Sequence, residues 1–338
     1  MVSISLCMIV KNEESILRRC LDSVADLMDE IIIVDTGSVD NTKAIAAEYT
    51  DKVYDFAWVN DFSAARNFAF SKATKEYIYS ADADEVLDEE NRHRFKVLKE
   101  HLLPEVEIVQ MKYGNQLHYG TVYNFDEEYR PKLFKRMREF QWIEPIHETI
   151  RTSPVVFDSD IVITHMPTSD HGSRDLQAFR RQIYGGGGLS RRLRDMYARE
   201  LLMVGQKEDL LAAEDYFTQI CYEGELTSEE YMECYSVLAH IAEVKEDTAM
   251  LMKYAMKAAL TEGCSEVCLE LGQFYEKLGD LDEACIWYYN AAFETAPVLV
   301  KASRDKYPLE GLLRIYERLG LKEQVEIYRQ ELLGRSES

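Results

Sequence analysis

Two aspartates separated by one small residue, Asp82 and Asp84, give the clearest chemical signal in this sequence. They follow the apolar run 77–79, which predicts a strand that ends just before them. Carboxylates at a strand end can face one point, and Mg²⁺ commonly takes one or two carboxylates while substrate phosphates fill its other positions. The pair therefore predicts a divalent cation site, and the alternative is a solvated acidic turn.

Acidic side chains recur where the predicted strands end. Apolar runs predict strands at 4–10, 31–34 and 52–54, and helical patterns follow them, as at 16–24. This alternation predicts a parallel α/β sheet, in which ligands bind beyond the carboxyl ends of the strands. Five acidic residues lie at or just after such ends: Glu13, Asp35, Asp61, Asp82 and Asp84.

Four motifs, at residues 8–13, 34–42, 61–67 and 82–85, resemble the ordered motifs of family-two glycosyltransferases with the GT-A fold. The resemblance covers roughly residues 1–170. It implies a Rossmann-like α/β domain that binds a UDP-sugar as the donor, with Mn²⁺ or Mg²⁺ as the cofactor. It does not distinguish among donor sugars or acceptors.

The resemblance also implies roles for single residues. Those expected to contact the donor are Val10, Glu13, Asp35, Asp61, Arg66 and Asp82. Asp35 is expected at the uracil or ribose, Asp61 at the edge of the base, and Arg66 at the diphosphate, onto which a guanidinium can fork. Asp82 and Asp84 are expected at the metal, with Asp84 as the direct ligand. The alternative for Arg66 is a surface residue paired with a nearby acid.

Further strands are predicted at 108–113 and 117–123, and a basic segment follows at 129–138. Arg130 and Lys132 of this segment stand out in an acidic chain. They form either the solvated face of a strand or a wall that neutralises the departing diphosphate. The sequence leaves both interpretations open.

Segment 140–150 contains the candidates for a catalytic base. It resembles a segment ending in Val-His-Glu in many bacterial enzymes of this family, although Ile146 replaces the Val and the pair 144–145 replaces a small residue and an Arg. Inverting displacement at an anomeric carbon needs a base to deprotonate the acceptor. Glu148 is the first candidate and His147 the second, and the alternative for His147 is a packing role.

A histidine, His165, ends the predicted strand 161–165. Many relatives in the resembled family have a histidine after this strand. This implies that His165 completes the metal site or caps the diphosphate, and the alternative is a structural histidine.

Beyond about residue 173 the strand patterns stop and long amphipathic helical patterns begin. Eight positions match a tetratricopeptide repeat: Leu271, Gly272, Tyr275, Gly279, Ala284, Tyr288, Ala291 and Pro297. We therefore predict a glycosyltransferase domain at 1–172 and an all-α tetratricopeptide-like solenoid at 173–338, with Gly185–Gly188 as a hinge or an engineered loop. The repeats would bind a polypeptide, form a homodimer or only support the first domain.

The formal net charge of −22 argues against nucleic acid as a partner, because nucleic-acid binding relies on clustered Lys and Arg. No apolar stretch reaches the ~18 residues of a membrane-spanning helix, and no secretory signal is predicted. The seven cysteines show no metal-type spacing, which favours reduced thiols in a cytoplasmic protein without stable membrane insertion.

Together these features predict an inverting, metal-dependent glycosyltransferase that moves a sugar from a UDP-sugar to a peptide or protein side chain. The combination with repeats resembles bacterial enzymes such as the bacteriocin S-glycosyltransferases. One alternative is a glycosyltransferase of lipopolysaccharide or cell-surface glycan. Another is a non-catalytic repeat adaptor with a remnant glycosyltransferase domain, against which the intact Asp35, Asp82 and Asp84 argue.

Overall fold

The computed structural model of the chain describes residues 1–114, 128–150, 154–166, 172–223, 225–260 and 263–336. The strand predicted at 117–123 lies outside these residues. The chain divides into two compact units, Met1–Asp170 and His171–Ser338. The first is α/β and the second is helical, which agrees with the predicted fold class.

The first unit alternates strands and helices over its first half and then continues mainly as strands. Its strands are β1 (Ile4–Val10), β2 (Glu30–Asp35), β3 (Val53–Asp55), β4 (Tyr77–Ser80), β5 (Glu85–Val86), β6 (Ile108–Gly114), β7 (Glu128–Lys135), β8 (Trp142–Ile143), β9 (Thr149–Ile150) and β10 (Val156–His165). Its helices are α1 (Leu17–Val24), α2 (Thr42–Ala47), α3 (Phe62–Lys72) and α4 (Glu89–His101).

Eight of the described strands form one sheet in the order β3-β2-β1-β4-β7-β6-β10-β5. β1 to β4 run parallel to one another, as predicted. β7 is antiparallel to both of its neighbours, β4 and β6, so the predicted parallel arrangement is interrupted at β7, whereas β6 and β10 are parallel to each other. The sheet is therefore mixed. β8 and β9 form a separate antiparallel pair.

The alternating side chains of the apolar strands are buried on both faces of the sheet. Leu6 and Met8 of β1 belong to a core cluster that includes Leu21 of α1 and Phe95 of α4. Cys7, which points the opposite way, belongs to the cluster that includes residues of α3. Helices thus cover both faces, which is why β1 and β2 are almost continuously hydrophobic.

A buried carboxylate, that of Glu30, ties the start of β2 to neighbouring segments. It accepts hydrogen bonds from Ser5, from Lys52, and from the backbone N–H and hydroxyl of Thr74 at 2.8 and 2.9 Å. Burial by itself would raise the pKa of Glu30, but these hydrogen bonds lower it to about 2. The ionised form is therefore the one that stabilises the fold.

We expect Glu30→Gln to destabilise the protein by about 2–3 kcal/mol at pH 7, since each pKa unit corresponds to about 1.4 kcal/mol. Because the folded-state pKa is depressed, this contribution is complete above the unfolded-state pKa of about 4.3 and is lost as the pH falls toward 2. Urea denaturation of wild type and variant should give midpoints that converge between pH 5 and pH 2.5. A difference between the two urea midpoints that stays constant over that pH range would contradict this role of Glu30. Glu48→Gln serves as the control, because Glu48 belongs to an exposed ion pair.

The described part of the second unit consists mainly of α-helices, with a π-helical segment at Asn290–Glu294. The α-helices are α5 (Gly172–Tyr184), α6 (Arg191–Val204), α7 (Lys207–Glu223), α8 (Ser228–Val244), α9 (Thr248–Ala259), α10 (Ser265–Leu278), α11 (Leu281–Tyr289), α12 (Ala302–Asp305), α13 (Tyr307–Leu319) and α14 (Lys322–Ser336). The run Gly185–Gly188 lies in the turn after α5. Of the helices described in the chain, none combines the length and apolar character needed to span a bilayer.

Consecutive helices pack as pairs, α8 with α9, α10 with α11 and α13 with α14, and α10 also contacts α8 and α13. Gly279 and Gly320 end α10 and α13 in the left-handed conformation, with φ of 82° and 71°, and each is followed closely by the partner helix. This pairing is the arrangement that the repeat pattern predicts.

Two glycines lie against one aromatic ring in this unit. A Cβ on Gly272 of α10 would lie 2.6 Å from Cδ1 of Tyr288, and a Cβ on Gly311 of α13 would lie 2.6 Å from its Cε2. The Tyr288 side chain is buried and its hydroxyl donates to Glu276 at 2.8 Å. The small residue of the repeat pattern therefore allows the paired helices to approach each other around this ring.

We expect Gly272→Ala to destabilise the second unit although alanine favours helix. The gain in helix propensity is about 0.5–1 kcal/mol, whereas overpacking of a buried site typically costs about 1–3 kcal/mol. Gly334→Ala is the matched control, because a Cβ there meets nothing within 4 Å. Chemical denaturation followed by far-ultraviolet circular dichroism should show a lower midpoint for the first variant and an equal or higher one for the second. A higher midpoint for Gly272→Ala would show that the ring yields to the methyl group.

Candidate active site

The ends of β1 and β2 bring two predicted donor-binding residues together. Val10 pairs in register with Asp35, and the Val10 carbonyl accepts from the backbone N–H of Thr36 at 3.0 Å. Asp35 is buried, and its Oδ2 accepts from the backbone N–H groups of Gly37 and Ser38 at 3.0 Å. Its Oδ1 is buried and has no hydrogen-bond partner among the described residues. A donor group of a ligand, such as a ribose hydroxyl or an imide N–H, could satisfy that oxygen.

The loop after β1 is fixed by hydrogen bonds to the loop after β2. Glu13 donates its backbone N–H to the Thr42 hydroxyl at 2.7 Å, and Asn12, at a φ of 57°, accepts from the backbone N–H of Val39 at 2.9 Å. Glu13 thus lies beside the same edge of the sheet. Its contact with a nucleotide stays a prediction.

Asp61 serves as the N-cap of α3. Its Oδ1 accepts from the backbone N–H of Ala64 at 3.0 Å and from the Ser63 hydroxyl at 2.7 Å. An N-terminal aspartate of this kind stabilises a helix through the backbone N–H groups that lack partners in the first turn. The structure gives this oxygen a local structural role, and the predicted contact with the base edge stays a prediction.

Arg66 of α3 joins the end of β4 to the candidate base. Its Nη2 donates to Asp82 at 2.9 Å, its Nη1 donates to the Ser80 hydroxyl at 3.0 Å, and its Nε donates to Glu148. The Arg66 side chain is 12% exposed and that of Glu148 is 13% exposed. Burial would raise the pKa of Asp82, but the positive charge of the Arg66 guanidinium holds that pKa well below its usual range, and the charge of Lys132 contributes less. Asp82 is therefore ionised. Asp82 was predicted to contact the donor and Glu148 to act as the base, and both contact the guanidinium of Arg66.

Asp84 and His165 meet at the end of β10. Nε2 of His165 lies 3.1 Å from Oδ2 of Asp84, and the His165 ring packs 5.1 Å from the ring of Tyr113, measured between centroids. The second oxygen of Asp84, Oδ1, is buried without a hydrogen-bond partner among the described residues. A carboxylate oxygen of this kind beside an imidazole fits a divalent cation.

The predicted third ligand, Asp82, faces Arg66. Within the described ranges, no three His, Cys, Asp or Glu side chains are grouped so that they could hold a metal ion by themselves. Asp84 and His165 would therefore hold a cation together with oxygens of the donor diphosphate, as Mg²⁺ sites commonly do. The metal assignment stays a prediction.

The basic segment of β7 is not a uniformly solvated face. Lys132 forms an ion pair with Glu85, and the two side chains are only 8% and 2% exposed. Burial raises the pKa of Glu85, while Lys132 opposes that rise. Arg130 donates to Glu128 at 2.5 Å, and its guanidinium carbon lies 3.9 Å from the ring centroid of Tyr113. For Lys132 the solvated-face interpretation is wrong, and its predicted contact with diphosphate stays a prediction.

The turn between β8 and β9 positions His147 and Glu148. The Asn67 side chain exchanges two hydrogen bonds with the backbone of Trp142, at 2.8 and 2.9 Å. His147 has a φ of 46° and Glu144 one of 71°, so both lie in the left-handed region that non-glycine residues rarely adopt. Glu144 is one of the positions at which the sequence departs from the resembled motif, and His147 directly follows another, Ile146.

The sequence did not single out three residues that build this site, namely Ser80, Glu85 and Trp142. Ser80 ends β4, Glu85 pairs with Lys132, and the Trp142 ring lies 5.1 Å from the guanidinium carbon of Arg66. Glu85 follows directly on Asp84, so its position in the acidic motif was the one available signal.

Residues 5–159 match the model of the family Glycosyl transferase family 2. The match lies within the first unit, Met1–Asp170, and covers less than half of the 338-residue chain. A TPR repeat-containing protein of Synechococcus elongatus is 36% identical over 155 residues, which are 45% of this chain and 36% of that protein. Glycosyltransferase SunS of Bacillus subtilis is 40% identical over 92 residues, 27% of this chain and 22% of SunS.

A third relative is the lipopolysaccharide core biosynthesis glycosyltransferase LpsC of Rhizobium meliloti. It is 30% identical over 161 residues, which are 44% of this chain and 56% of LpsC. The chain thus spans from about a fifth to just over half of the length of these relatives.

Two solved structures match the chain with low similarity. A glucosyl-3-phosphoglycerate synthase from Mycobacterium tuberculosis matches with a TM-score of 0.41 and 13% identity, over 56% of this chain and 82% of that chain. S. aureus TarS, residues 1–349, matches with a TM-score of 0.36 and 14% identity, over 85% of this chain and 90% of that chain. At these values neither match bears on the function of this chain.

Proposed function

We propose that this protein is an inverting, metal-dependent glycosyltransferase that moves a sugar from a UDP-sugar to a side chain of a peptide or protein. The observation that carries the proposal is the guanidinium of Arg66, which joins Asp82, at the donor side of the sheet, to Glu148. Transfer needs a donor site and a base close to each other, and the shared contact with Arg66 supports the assignment of Asp82 and Glu148 to one site.

The residues of the chain would divide the reaction between them. Asp35 would accept from the ribose or uracil through its buried Oδ1, which has no hydrogen-bond partner in the part of the chain that the structure describes. Asp84 and His165 would hold a divalent cation, which would neutralise the charge that develops on the departing diphosphate. The acceptor would attack the anomeric carbon from the side opposite the diphosphate, and Glu148 would accept the proton that the acceptor loses.

The helical unit supports a polypeptide as the acceptor. Paired helices that stack on one another commonly form an extended surface for binding. The relative from Synechococcus is also named for TPR repeats, although this chain covers only 36% of it. A homodimer formed through these helices stays an alternative role.

A glycan acceptor is the second candidate. LpsC, named for lipopolysaccharide core biosynthesis, is the relative among those above of which this chain covers the largest share, 56%. Transfer to a lipopolysaccharide core oligosaccharide, without transfer to peptides, would favour this candidate.

The first test is a panel of nucleotide sugars, each incubated with the full chain with and without Mn²⁺, with free nucleotide measured by mass spectrometry. We expect Mn²⁺-dependent release of UDP from at least one UDP-sugar, since water can replace the acceptor slowly. Absence of nucleotide release from every donor, with and without candidate peptides, would favour the non-catalytic adaptor instead.

A further inference from the structure

We propose that Arg66 is a positioning residue that fixes the carboxylate of Glu148 at one place relative to Asp82. This inference rests on the proposed function, in which Glu148 deprotonates the acceptor and Asp82 lies at the donor. It differs from the role that the sequence predicted for Arg66, which was to bind the diphosphate directly.

The geometry assigns each nitrogen of the guanidinium to a protein oxygen. Nη2 lies 2.9 Å from Asp82, Nη1 lies 3.0 Å from the Ser80 hydroxyl, and Nε donates to Glu148. The planar fork of an arginine holds such partners in fixed directions, whereas a lysine ammonium is a point charge on a flexible stem. The side chain is also largely buried, so solvent does not compete for these hydrogen bonds.

Electrostatics gives a reason for a cation at this point. Asp82 and Glu148 lie on segments far apart in the sequence, and both contact the same charge. Two carboxylates near each other repel and disfavour ionisation unless a cation lies between them. Arg66 supplies one positive charge that both carboxylates contact, which holds them on either side of the same guanidinium.

Other contacts already attach the β8–β9 turn to α3. Asn67 exchanges two hydrogen bonds with the Trp142 backbone, and the Phe62 backbone N–H donates to the Pro145 carbonyl at 3.0 Å. These contacts do not involve the side chains of Arg66 or Glu148. We therefore expect a change at Arg66 to move the Glu148 carboxylate more than the backbone that carries it.

The test uses Arg66→Lys in the full chain and measures two quantities. The first is the Kd of UDP with Mn²⁺ by calorimetry, and the second is kcat for hydrolysis of the UDP-sugar that the donor panel identifies. We expect kcat to fall by about 10²-fold, the typical effect of a small misplacement of a reacting group, while Kd changes by less than about 3-fold. Arg18→Lys is the matched control, because Arg18 also forks onto a glutamate, Glu48, but at the exposed surface.

A double-mutant cycle separates positioning from a general structural role. If Arg66 acts through Glu148, Arg66→Lys should cost almost nothing further once Glu148→Gln is present. A further loss of about 10²-fold in the double variant would overturn the proposal. So would a Kd for UDP that rises in parallel with the fall in kcat, since that is the behaviour of a diphosphate ligand.

Failure of the proposed function would give a different result. If wild type releases no nucleotide from any donor, the enzyme assignment is contradicted, and the contact itself is then tested by denaturation midpoints of the two single variants and the double variant. Non-additive midpoints support a direct Arg66–Glu148 interaction, and additive midpoints overturn it.

Discussion

Glu148→Gln is expected to lower sugar transfer and donor hydrolysis by about 10²–10⁴-fold, the usual loss when a general base is removed. The amide keeps the shape of the side chain and can still accept a hydrogen bond from Arg66, but it cannot accept a proton at neutral pH. UDP affinity should change little. The measurement is kcat for the donor that the panel identifies, together with calorimetry of UDP binding.

The second candidate base provides the comparison. His147 precedes Glu148 in a strained turn, with a φ of 46°, so His147→Asn is a suitable variant because Asn tolerates the left-handed region better than Ala. If His147→Asn is inactive while Glu148→Gln stays near wild type, the base is His147 or lies elsewhere. Glu323→Gln, an exposed change in α14, should leave the rate unaltered.

The elements that could be predicted from the sequence are those whose signals are local. The apolar run at 31–34 became the buried strand β2, and the pattern at 16–24 became α1, which begins at Leu17. The motif glycines of the second unit lie where a close approach or a left-handed helix end requires them, at Gly272 and Gly279. In each case the residues close by in the sequence are enough to predict the burial or the backbone conformation.

The features that were missed depend on pairing between distant segments. β7 lies between β4 and β6 and runs antiparallel to both, but no pattern within residues 128–135 indicates which strands will flank it. The ion pair of Lys132 with Glu85 joins residues 47 positions apart, and that of Arg66 with Glu148 joins residues 82 positions apart. The charge run left a solvated face open as one interpretation for Lys132, because the burial of Lys132 depends on its partner Glu85 across the sheet.

The cap at Asp61 is a different case, because its signal was present in the sequence. An aspartate directly before a helix, followed by Ser63, is typical of an N-cap. The resemblance to the family assigned the same residue to the base of the nucleotide. Since Oδ1 of Asp61 is engaged by the helix, a nucleotide contact would have to use Oδ2.

Asp84→Asn is expected to abolish the effect of Mn²⁺ on both UDP binding and donor hydrolysis. The change preserves shape but removes the negative charge beside His165, and a hard divalent cation relies on charged oxygen ligands. In wild type, Mn²⁺ should strengthen UDP binding, because Asp84 and His165 would hold the cation and its charge would attract the anionic diphosphate. Calorimetry of UDP with Mn²⁺ and with EDTA should give different Kd values for wild type and equal values for the variant.

The binding measurement makes this prediction independent of the unknown acceptor. Asp51→Asn, at an exposed position of the first unit, is the control and should retain the Mn²⁺ effect. If wild type hydrolyses its donor at the full rate in excess EDTA, the cation is not required. Oδ1 of Asp84, which has no hydrogen-bond partner among the residues that the structure describes, then needs a different one. That partner would then be a hydrogen-bond donor of the substrate, because a buried carboxylate oxygen is costly to leave without one.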